Sequence, residues 1–522
     1  MTEQTTTLEE QTPFSRSLLW QYQRDFFNRQ GIHAWASLVP FYITSNPFIA
    51  NSYAEVIIGY IKDLMKQQTL SFDTPLYILE LGTGSGRFSY YCMTRIFELQ
   101  AAYKLQKIKL CYIMSDFTDL NLKFWISHDR FIPYIEAQKL DFSVFDLEQD
   151  SQITLYHQKT VLRAGSLKNP LIVLGNYIFD TISHDAFRAN EGKLSHLLTT
   201  LTTPTSNLSE NIPQQLDKVT TTFHPAPMDP LGHYPDPIYN EILQDYAQRF
   251  KNTSFLFPVG GLKTIKTLHS WHGADLLLLS TDKGYALPEE LDYHGDPTVT
   301  FHGSFSMMVN FHAMGEYFKK TGGDVFCQSL RKSIKTMAFV YGNAFLGLPE
   351  TKHALHQYIE EFGPGDFFNL HEHFKVKTQE SDLKALDSLL RLSRWDPHVY
   401  HYLADKIAHS ISKEDTTLKQ SLQEGMKKIL QNMYLMPNVY NTFFDVAIFY
   451  HATEAYQTAL HYYEKSREHF GDDFNTLYNM ALCFYSLGEK VQAQDYFNHA
   501  LKKDPNSKVT QEWLDRIQNE PT

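Results

Sequence analysis

Four cysteines in 522 residues, Cys92, Cys111, Cys327 and Cys483, stand too far apart to form a CxxC pair. That excludes a zinc ribbon and offers no disulfide framework, and a reducing compartment suits such usage. No apolar run approaches the ~20 residues needed to cross a bilayer. The opening Met1–Pro13 stretch is polar and threonine-rich, without the basic start or apolar core of a signal peptide. A cytoplasmic location with no membrane partner is therefore expected. Positive charge is scarce too: the formal net charge of -12 argues against nucleic acid as a partner. Among the scattered histidines none forms H-E-x-x-H, and His371-Glu-His373 has no third ligand at a suitable spacing, so no metal site is expected. Gly260-Gly-Leu-Lys-Thr264 fails as a phosphate loop because Leu262 stands where a glycine is required.

What is present suffices for packed cores, with hydrophobic residues at 43%. The length exceeds the ~250–300 residues at which single cores stop growing, so several domains are expected.

Tyr77-Ile-Leu-Glu-Leu-Gly-Thr-Gly-Ser-Gly-Arg-Phe-Ser89 is the most informative stretch. An apolar strand runs through Glu80 into a turn of Gly82, Thr83, Gly84 and Gly86, then into a helix from Arg87 to Leu99. Such a turn lets a nucleotide-like ligand lie against bare backbone. The G-x-G-x-G spacing puts Arg87 or Ser89 where a dinucleotide fingerprint needs its last glycine, which weakens NAD or FAD. The motif resembles motif I of the class I S-adenosylmethionine (SAM) methyltransferases. That resemblance implies that the turn carries the methionine part of SAM, with Glu80 beneath it. A glycine-rich turn of another doubly wound domain is the alternative.

After a disordered lead, helices are expected at 15–36 and 52–66. Strands at 77–81, 111–115, 142–145 and 171–174, separated by helical stretches, give a β-α-β order and a mainly parallel, Rossmann-like sheet. Residues 194–227 read as a hairpin and loop, part of an insertion at about 190–237. Helices at 237–250, 263–272 and 310–320 and strands at 274–280 and 298–302 complete the reading. The expected domains are an N-terminal helical segment contributing to the cofactor site (1–70), a methyltransferase-type domain (71–345), a helical connector or degenerate repeats (346–435) and a repeat domain (436–522).

Ligands in such sheets bind beyond the strand ends. Asp116, followed by Phe117, ends the second strand; its carboxylate could accept both hydroxyls of a ribose, or Asp116 or Asp119 could merely cap a helix. Asp146-Leu-Glu148 ends the third, where an acid could receive an adenine amino group or only be solvated. Asn176 ends the fourth, and its carbonyl could orient a nitrogen nucleophile, or the residue could simply close a turn.

Ile43-Thr-Ser-Asn-Pro-Phe-Ile-Ala-Asn-Ser-Tyr-Ala-Glu55, Gly175-Asn-Tyr-Ile-Phe-Asp-Thr-Ile-Ser-His-Asp-Ala-Phe187 and Met307-Met-Val-Asn-Phe-His-Ala-Met-Gly315 resemble segments of the MidA-like SAM-dependent methyltransferases. That family includes a mitochondrial protein arginine methyltransferase needed for complex I assembly. The resemblance spans roughly residues 40–323. It departs at Tyr177, where the family carries Glu, at Ser183-His184-Asp185 in place of Pro-Val-His, and at Asp282-Lys-Gly-Tyr285, a loose match to Asp-Tyr-Gly. It implies a fold and a cofactor more firmly than a substrate. An arginine acceptor would need a carboxylate to hold the guanidinium and take a proton. Asp180, Asp185 and Asp282 lie near strand ends, and Asp180, four residues past Asn176, is preferred; a turn or cap role is the commoner use of an acid at each of these places.

Leu477-Tyr-Asn-Met-Ala-Leu-Cys-Phe484, with Gly488, Ala493, Phe497, Ala500 and Pro505, resembles a tetratricopeptide repeat (TPR). One ~34-residue period earlier, Phe443, Val446, Ala447, Tyr450, Ala459 and Tyr463 fit as well. Two repeats seldom stand alone, so helices at 382–392, 398–411 and 418–434 are expected to stack upstream, with a capping helix at 512–519. Such arrays bind peptides or docking partners; a structural appendage is the other reading. The expectation is a SAM-dependent methyltransferase acting on a protein, arginine among the candidates, recruited through the repeats. The alternatives are a non-enzymatic TPR adaptor with a degenerate methyltransferase domain and a small-molecule methyltransferase. Oligomeric state is not readable.

Overall fold

A computed structural model describes residues 4–210, 212–329, 334–414, 416–437 and 439–519. Met1–Glu3 of the lead, Asn211 of the insertion and Asn438 and 520–522 of the repeat domain lie outside them. The chain forms two compact units, 1–366 and 367–522. The division falls inside the connector expected at 346–435, because the helix Pro349–Leu355 belongs to the first unit. Asp63 accepts hydrogen bonds from the Glu350 and Thr351 amides at 3.1 and 2.8 Å, satisfying that helix's free N-terminus.

Seven strands form the central sheet of the first unit: β1 (Leu76–Glu80), β2 (Leu110–Asp116), β3 (Leu140–Val144), β4 (Leu171–Asn176), β5 (Leu276–Asp282), β6 (Asp324–Cys327) and β7 (Lys335–Tyr341). Their spatial order is β6-β7-β5-β4-β1-β2-β3. The strands β1 to β5 run parallel, and β7 is antiparallel to both β5 and β6. These strands are near-continuous apolar runs because both faces are covered; Leu79, Ile113, Val173 and Leu278 are buried at 0–1% exposure, each stabilising by about 1.5–3 kcal/mol. From β1 the chain steps through β2 and β3 in one direction, then returns to lay β4 and β5 on the other flank. The switch point therefore falls between β1 and β4.

Helix α1 (Leu18–Gln30) is shorter than the helix expected at 15–36. Gly31, at φ 49°, breaks it, and a 3-10 turn and a π turn carry the chain to Leu38. Helix α2 (Pro47–Gln67) begins earlier than expected: Asn46 accepts from the Phe48 and Ile49 amides at 3.0 and 3.1 Å, with Pro47 in the first turn. Helix α3 (Arg87–Ala102) follows the glycine turn.

The threonine-rich lead is a strand, not a disordered tail. Thr5–Pro13 pairs antiparallel with Lys193–Pro204; its β-branched side chains suit a pleated edge. The expected hairpin is present, as Lys193–Pro204 pairs with Thr220–Met228. It belongs to a second, five-stranded sheet completed by Asp185–Asn190 and Asn252–Phe257, two strands that the sequence reading lacks. The Gly260–Thr264 segment lies in the helix Val259–His272, where Gly260 packs against Ser183 and Glu148.

Helices are the only regular secondary structure among the described residues of the second unit. Leu383–Leu392, Pro397–Ile411 and Thr416–Asn432 precede the pairs Thr442–Ala452 with Tyr456–Phe470 and Phe474–Ser486 with Lys490–Lys503. The last helix is longer than expected, Lys508–Asn519. The small residues Ala481, Ala493 and Ala500 are fully buried where the paired helices meet. Among the described residues no helix is long and apolar enough to cross a membrane, and no cluster of His, Cys, Asp or Glu could hold a metal.

Candidate functional site

Beyond the carboxyl ends of β1 to β5 lies a cavity of about 1430 Å³ of empty space, counting its mouth. Its floor is the glycine turn. Gly82 and Gly84 have φ of 55° and 59°, conformations that a side chain opposes. A Cβ on Gly82 would lie 2.5 Å from Ile178 Cδ1, and one on Gly84 2.6 Å from Trp35 Cζ2. The sequence argument assigns the bare backbone to a ligand; in the structure, side chains of the chain itself also approach it. Gly86, at φ 80°, leads into α3.

Asp116 is buried and braces this turn. Its Oδ2 accepts from the Gly84 amide at 3.1 Å and from Asn121 Nδ2 at 3.0 Å. Burial raises its pKa. The helix cap that was the alternative role belongs to Thr118, which accepts from the Leu120 amide. Phe117 faces the cavity with the Arg24 guanidinium 4.7 Å from its ring centroid.

Asp146 also lines the cavity, but its carboxylate is taken by Arg24, whose Nη2 lies 2.5 Å from Oδ2. An adenine amino group can reach Asp146 only by sharing or displacing that guanidinium. Sequence reading has no signal for the pair, which joins residues 122 apart.

Asn176 stands at the switch point between β4 and β1. Its Oδ1 accepts from Tyr53 Oη at 2.7 Å and from the Thr281 amide at 3.1 Å. The carbonyl expected to orient a nucleophile therefore braces the sheet end instead, and Nδ2 reaches toward Thr44 O at 3.4 Å. Two residues on, Ile178 covers Gly82.

Asp180 lines the cavity and Asp282, fully buried, lies against it at the end of β5. Asp185 takes no part: it accepts from the Ser15 amide at 3.1 Å and Tyr234 Oη at 2.6 Å, and these bonds with His196 hold its pKa down at about 2. Its carboxylate anchors the second sheet, not the cavity wall.

Glu80 is buried beneath the turn, where Ser89 Oγ and Tyr112 Oη both donate to Oε2 at 2.5 and 2.7 Å. Burial outweighs these bonds and pushes its pKa from 4.5 up to about 7. A carboxyl raised in the fold stays protonated there while its unfolded counterpart ionises. Its stabilising effect is full below about 4.5 and is lost as pH rises through about 7. Glu80→Gln keeps the acceptor without the charge. It is expected to raise the thermal midpoint at pH 8 while leaving it unchanged at pH 4, as scanning calorimetry at the two pH values reads; an equal change at both would contradict the protonated form.

A tetratricopeptide repeat family model matches residues 474–507. No curated protein matches the chain. Among solved structures, a candidate methyl transferase from Burkholderia thailandensis bound to S-adenosyl-homocysteine is similar at 11% identity and a TM-score of 0.38, over 63% of this chain and 87% of that one. A native structure of a superfamily protein from the same organism follows at 10% identity and 0.35, over 63% and 95%. The DhpI–SAH complex stands at 8% and 0.25, over 62% and 97%. Likenesses this slight carry no argument about function.

Proposed function

We propose that the first unit is a SAM-dependent methyltransferase domain of the MidA-like kind, and that its substrate is a protein, an arginine side chain among the candidates, recruited by the TPR helices of the second unit. One observation carries the reading: a glycine turn at the sheet's switch point, braced by a buried acid from the next strand and open to an aromatic-walled cavity. Open α/β sheets bind nucleotide-like ligands at that place. Gly82, Thr83, Gly84 and Gly86 would face the methionine end of SAM, with Glu80 beneath. Asp116 and Phe117 would meet the nucleoside, and Asp146 its base once Arg24 moves.

Bound SAM supplies an activated methyl group, so the chain's own task is alignment and exclusion of water. Asn176, held by Tyr53 and Thr281, fixes the strand end beside the methyl position, and Asp180 offers a carboxyl group to the acceptor. Calorimetry with S-adenosyl-homocysteine (SAH), followed by transfer of labelled methyl from SAM into lysate protein, tests the two halves separately. No binding by the folded chain ends the cofactor reading, and label in small molecules alone ends the protein half.

Arg24 bears on how a nucleoside enters. With 4.7 Å between its guanidinium and the Phe117 centroid, no ring can slide between them, so a base that stacks on this face of Phe117 requires Arg24 to leave it. A partly exposed pair stabilises by ~1 kcal/mol, equivalent to about fivefold in a rate or equilibrium. Arg24→Ala is therefore expected to speed SAH association about fivefold in stopped-flow measurements; slower association would make Arg24 a contact of the bound ligand.

A second reading, a non-enzymatic adaptor built on a degenerate methyltransferase fold, is favoured by Tyr177. This half-buried residue, at φ 48°, replaces the Glu of the resembled family. SAH binding without any methyl transfer across a lysate would support it.

A further inference from the structure

Two carboxyl groups meet where β4 and β5 end side by side. Asp180 follows β4 by four residues and is 4% exposed; Asp282 ends β5 and is 0% exposed. The Asp180 amide donates to Asp282 Oδ2 at 3.2 Å, and the Lys283 amide donates to Asp282 Oδ1 at 2.8 Å. The backbone bond from Asp180 to Asp282 and the neighbouring strand ends bring the two buried carboxyl groups together. Carboxylates are acceptors only, so direct contact between two of them requires one to carry a proton. Asp180 Oδ1 is enclosed and has no hydrogen-bond partner, on a residue that lines the cavity. No ion pair joins either acid to a cation among the described residues.

We propose that Asp180 and Asp282 work as one proton-sharing pair, in which Asp180 takes the proton of the methyl acceptor and Asp282 is the positioning residue that holds Asp180 ready for it. The proposal rests on the methyltransferase reading and narrows its substrate. An acceptor that must lose a proton, an N–H or O–H nucleophile, needs such a pair. A thiolate or carboxylate acceptor does not. In the step, the acceptor's lone pair forms a bond to the methyl carbon and the carbon–sulfur bond breaks, its electrons staying on sulfur. The acceptor's proton passes to Asp180 Oδ1. The pair enters with one proton and leaves with two, and solvent at the cavity mouth restores it.

The surroundings support one shared proton. Burial raises the pKa of both acids; the Asp180 charge raises that of Asp282 further, whereas contact with Asp282, like the Lys283 charge, lowers that of Asp180. Facing them from neighbouring elements are Tyr177 and Tyr53, both held neutral by burial, and beyond Lys283 lies His302, whose pKa burial lowers. Among the described residues, Lys283 supplies the positive charge that acts on Asp180, in a pair of net charge minus one.

The test uses the full chain with Asp180→Asn and Asp282→Asn. Infrared spectroscopy at pH 7 should show a protonated carboxyl band, tied to this pair, that disappears in either variant. SAH binding should stay within about twofold in both. Labelled-methyl transfer from SAM into lysate protein should fall at least a hundredfold in Asp180→Asn, the scale of a lost proton acceptor. In Asp282→Asn transfer should persist, with its acid limb displaced toward alkaline pH, because the contact with Asp282 that lowers the Asp180 pKa is gone. An infrared band unchanged by both substitutions, or a pH profile unmoved in Asp282→Asn, would overturn the pair. Failure of the unaltered chain to bind SAH would instead overturn the cofactor reading, and the infrared band would still report the shared proton.

Discussion

A chain carrying Gly84→Val is expected to bind SAH at least a hundredfold more weakly than the unaltered protein, with its fold intact. Three effects act in one direction. The residue sits at φ 59°, which costs a residue with a Cβ ~1–2 kcal/mol and a β-branched one more. The new Cβ falls 2.6 Å from Trp35 Cζ2, and that ring is stacked on Phe27 with centroids 5.5 Å apart, so it cannot yield freely. The peptide itself is gripped on both sides: the amide donates to Asp116 at 3.1 Å, and the carbonyl accepts from Trp125 Nε1 at 3.0 Å. Relief therefore displaces either Trp35 or the Asp116 brace, and both border the cavity. About 3 kcal/mol of lost complementarity corresponds to more than a hundredfold in affinity. Calorimetry reads the loss, and the far-ultraviolet spectrum with the thermal midpoint confirms the fold. Adding Trp35→Ala separates the causes. Recovery in the double variant assigns the loss to the Trp35 contact, whereas continued loss assigns it to the backbone that the ligand would touch. Unchanged affinity in Gly84→Val would remove the glycine turn from the binding site.

How much of this was legible follows from how far apart the interacting residues lie in the chain. The strands β1 to β5 are apolar runs that announce themselves. The Asn46-Pro47 start of α2 is a local signal, a side-chain cap followed by proline, although the reading placed the helix a turn late. Asp116 at the end of β2 could be picked out because a strand must end somewhere near its last apolar residue. The repeat helices were legible because small and aromatic residues return at a fixed period.

The remainder depends on pairings that no local pattern encodes. Thr5–Pro13 is polar because it is an edge strand, and its partner, Lys193–Pro204, lies nearly two hundred residues further on. Composition alone made it look like a tail. Asn176 looked free to meet a substrate because Tyr53, which takes its carbonyl, comes from α2. Asp146 looked available for a base because Arg24 comes from α1. Both residues line the cavity, and tertiary packing determines which of their atoms remain available. Asp282 illustrates the converse: its strand end was visible, but its partnership with Asp180 requires β4 and β5 to be neighbours.

In the second unit the largest stability effect is expected at Gly425, inside the helix Thr416–Asn432. Helix propensity alone favours Gly→Ala there by ~1 kcal/mol. The surroundings reverse the sign. A Cβ on Gly425 would lie 1.9 Å from Trp395 Cζ3 and 2.4 Å from Cη2. Trp395 cannot swing away cheaply. It is 6% exposed and follows Arg394 in a turn where both have φ near 60°. Asn432 Nδ2 fixes that turn, donating to the Arg394 and Trp395 carbonyls at 2.8 and 3.1 Å. Overpacking of this kind typically costs 1–3 kcal/mol and more against a rigid ring, so Gly425→Ala is expected to destabilise the helical unit by about 2 kcal/mol net. Denaturant unfolding of the full chain, followed by the tryptophan signal, measures it. The cycle with Trp395→Ala identifies the cause: once the ring is gone, the same Gly425→Ala change should become stabilising by ~1 kcal/mol, the bare propensity gain. If Gly425→Ala alone raises the unfolding midpoint, the ring yields at no cost, and the helices Leu383–Leu392 and Thr416–Asn432 are then not held in register by Trp395.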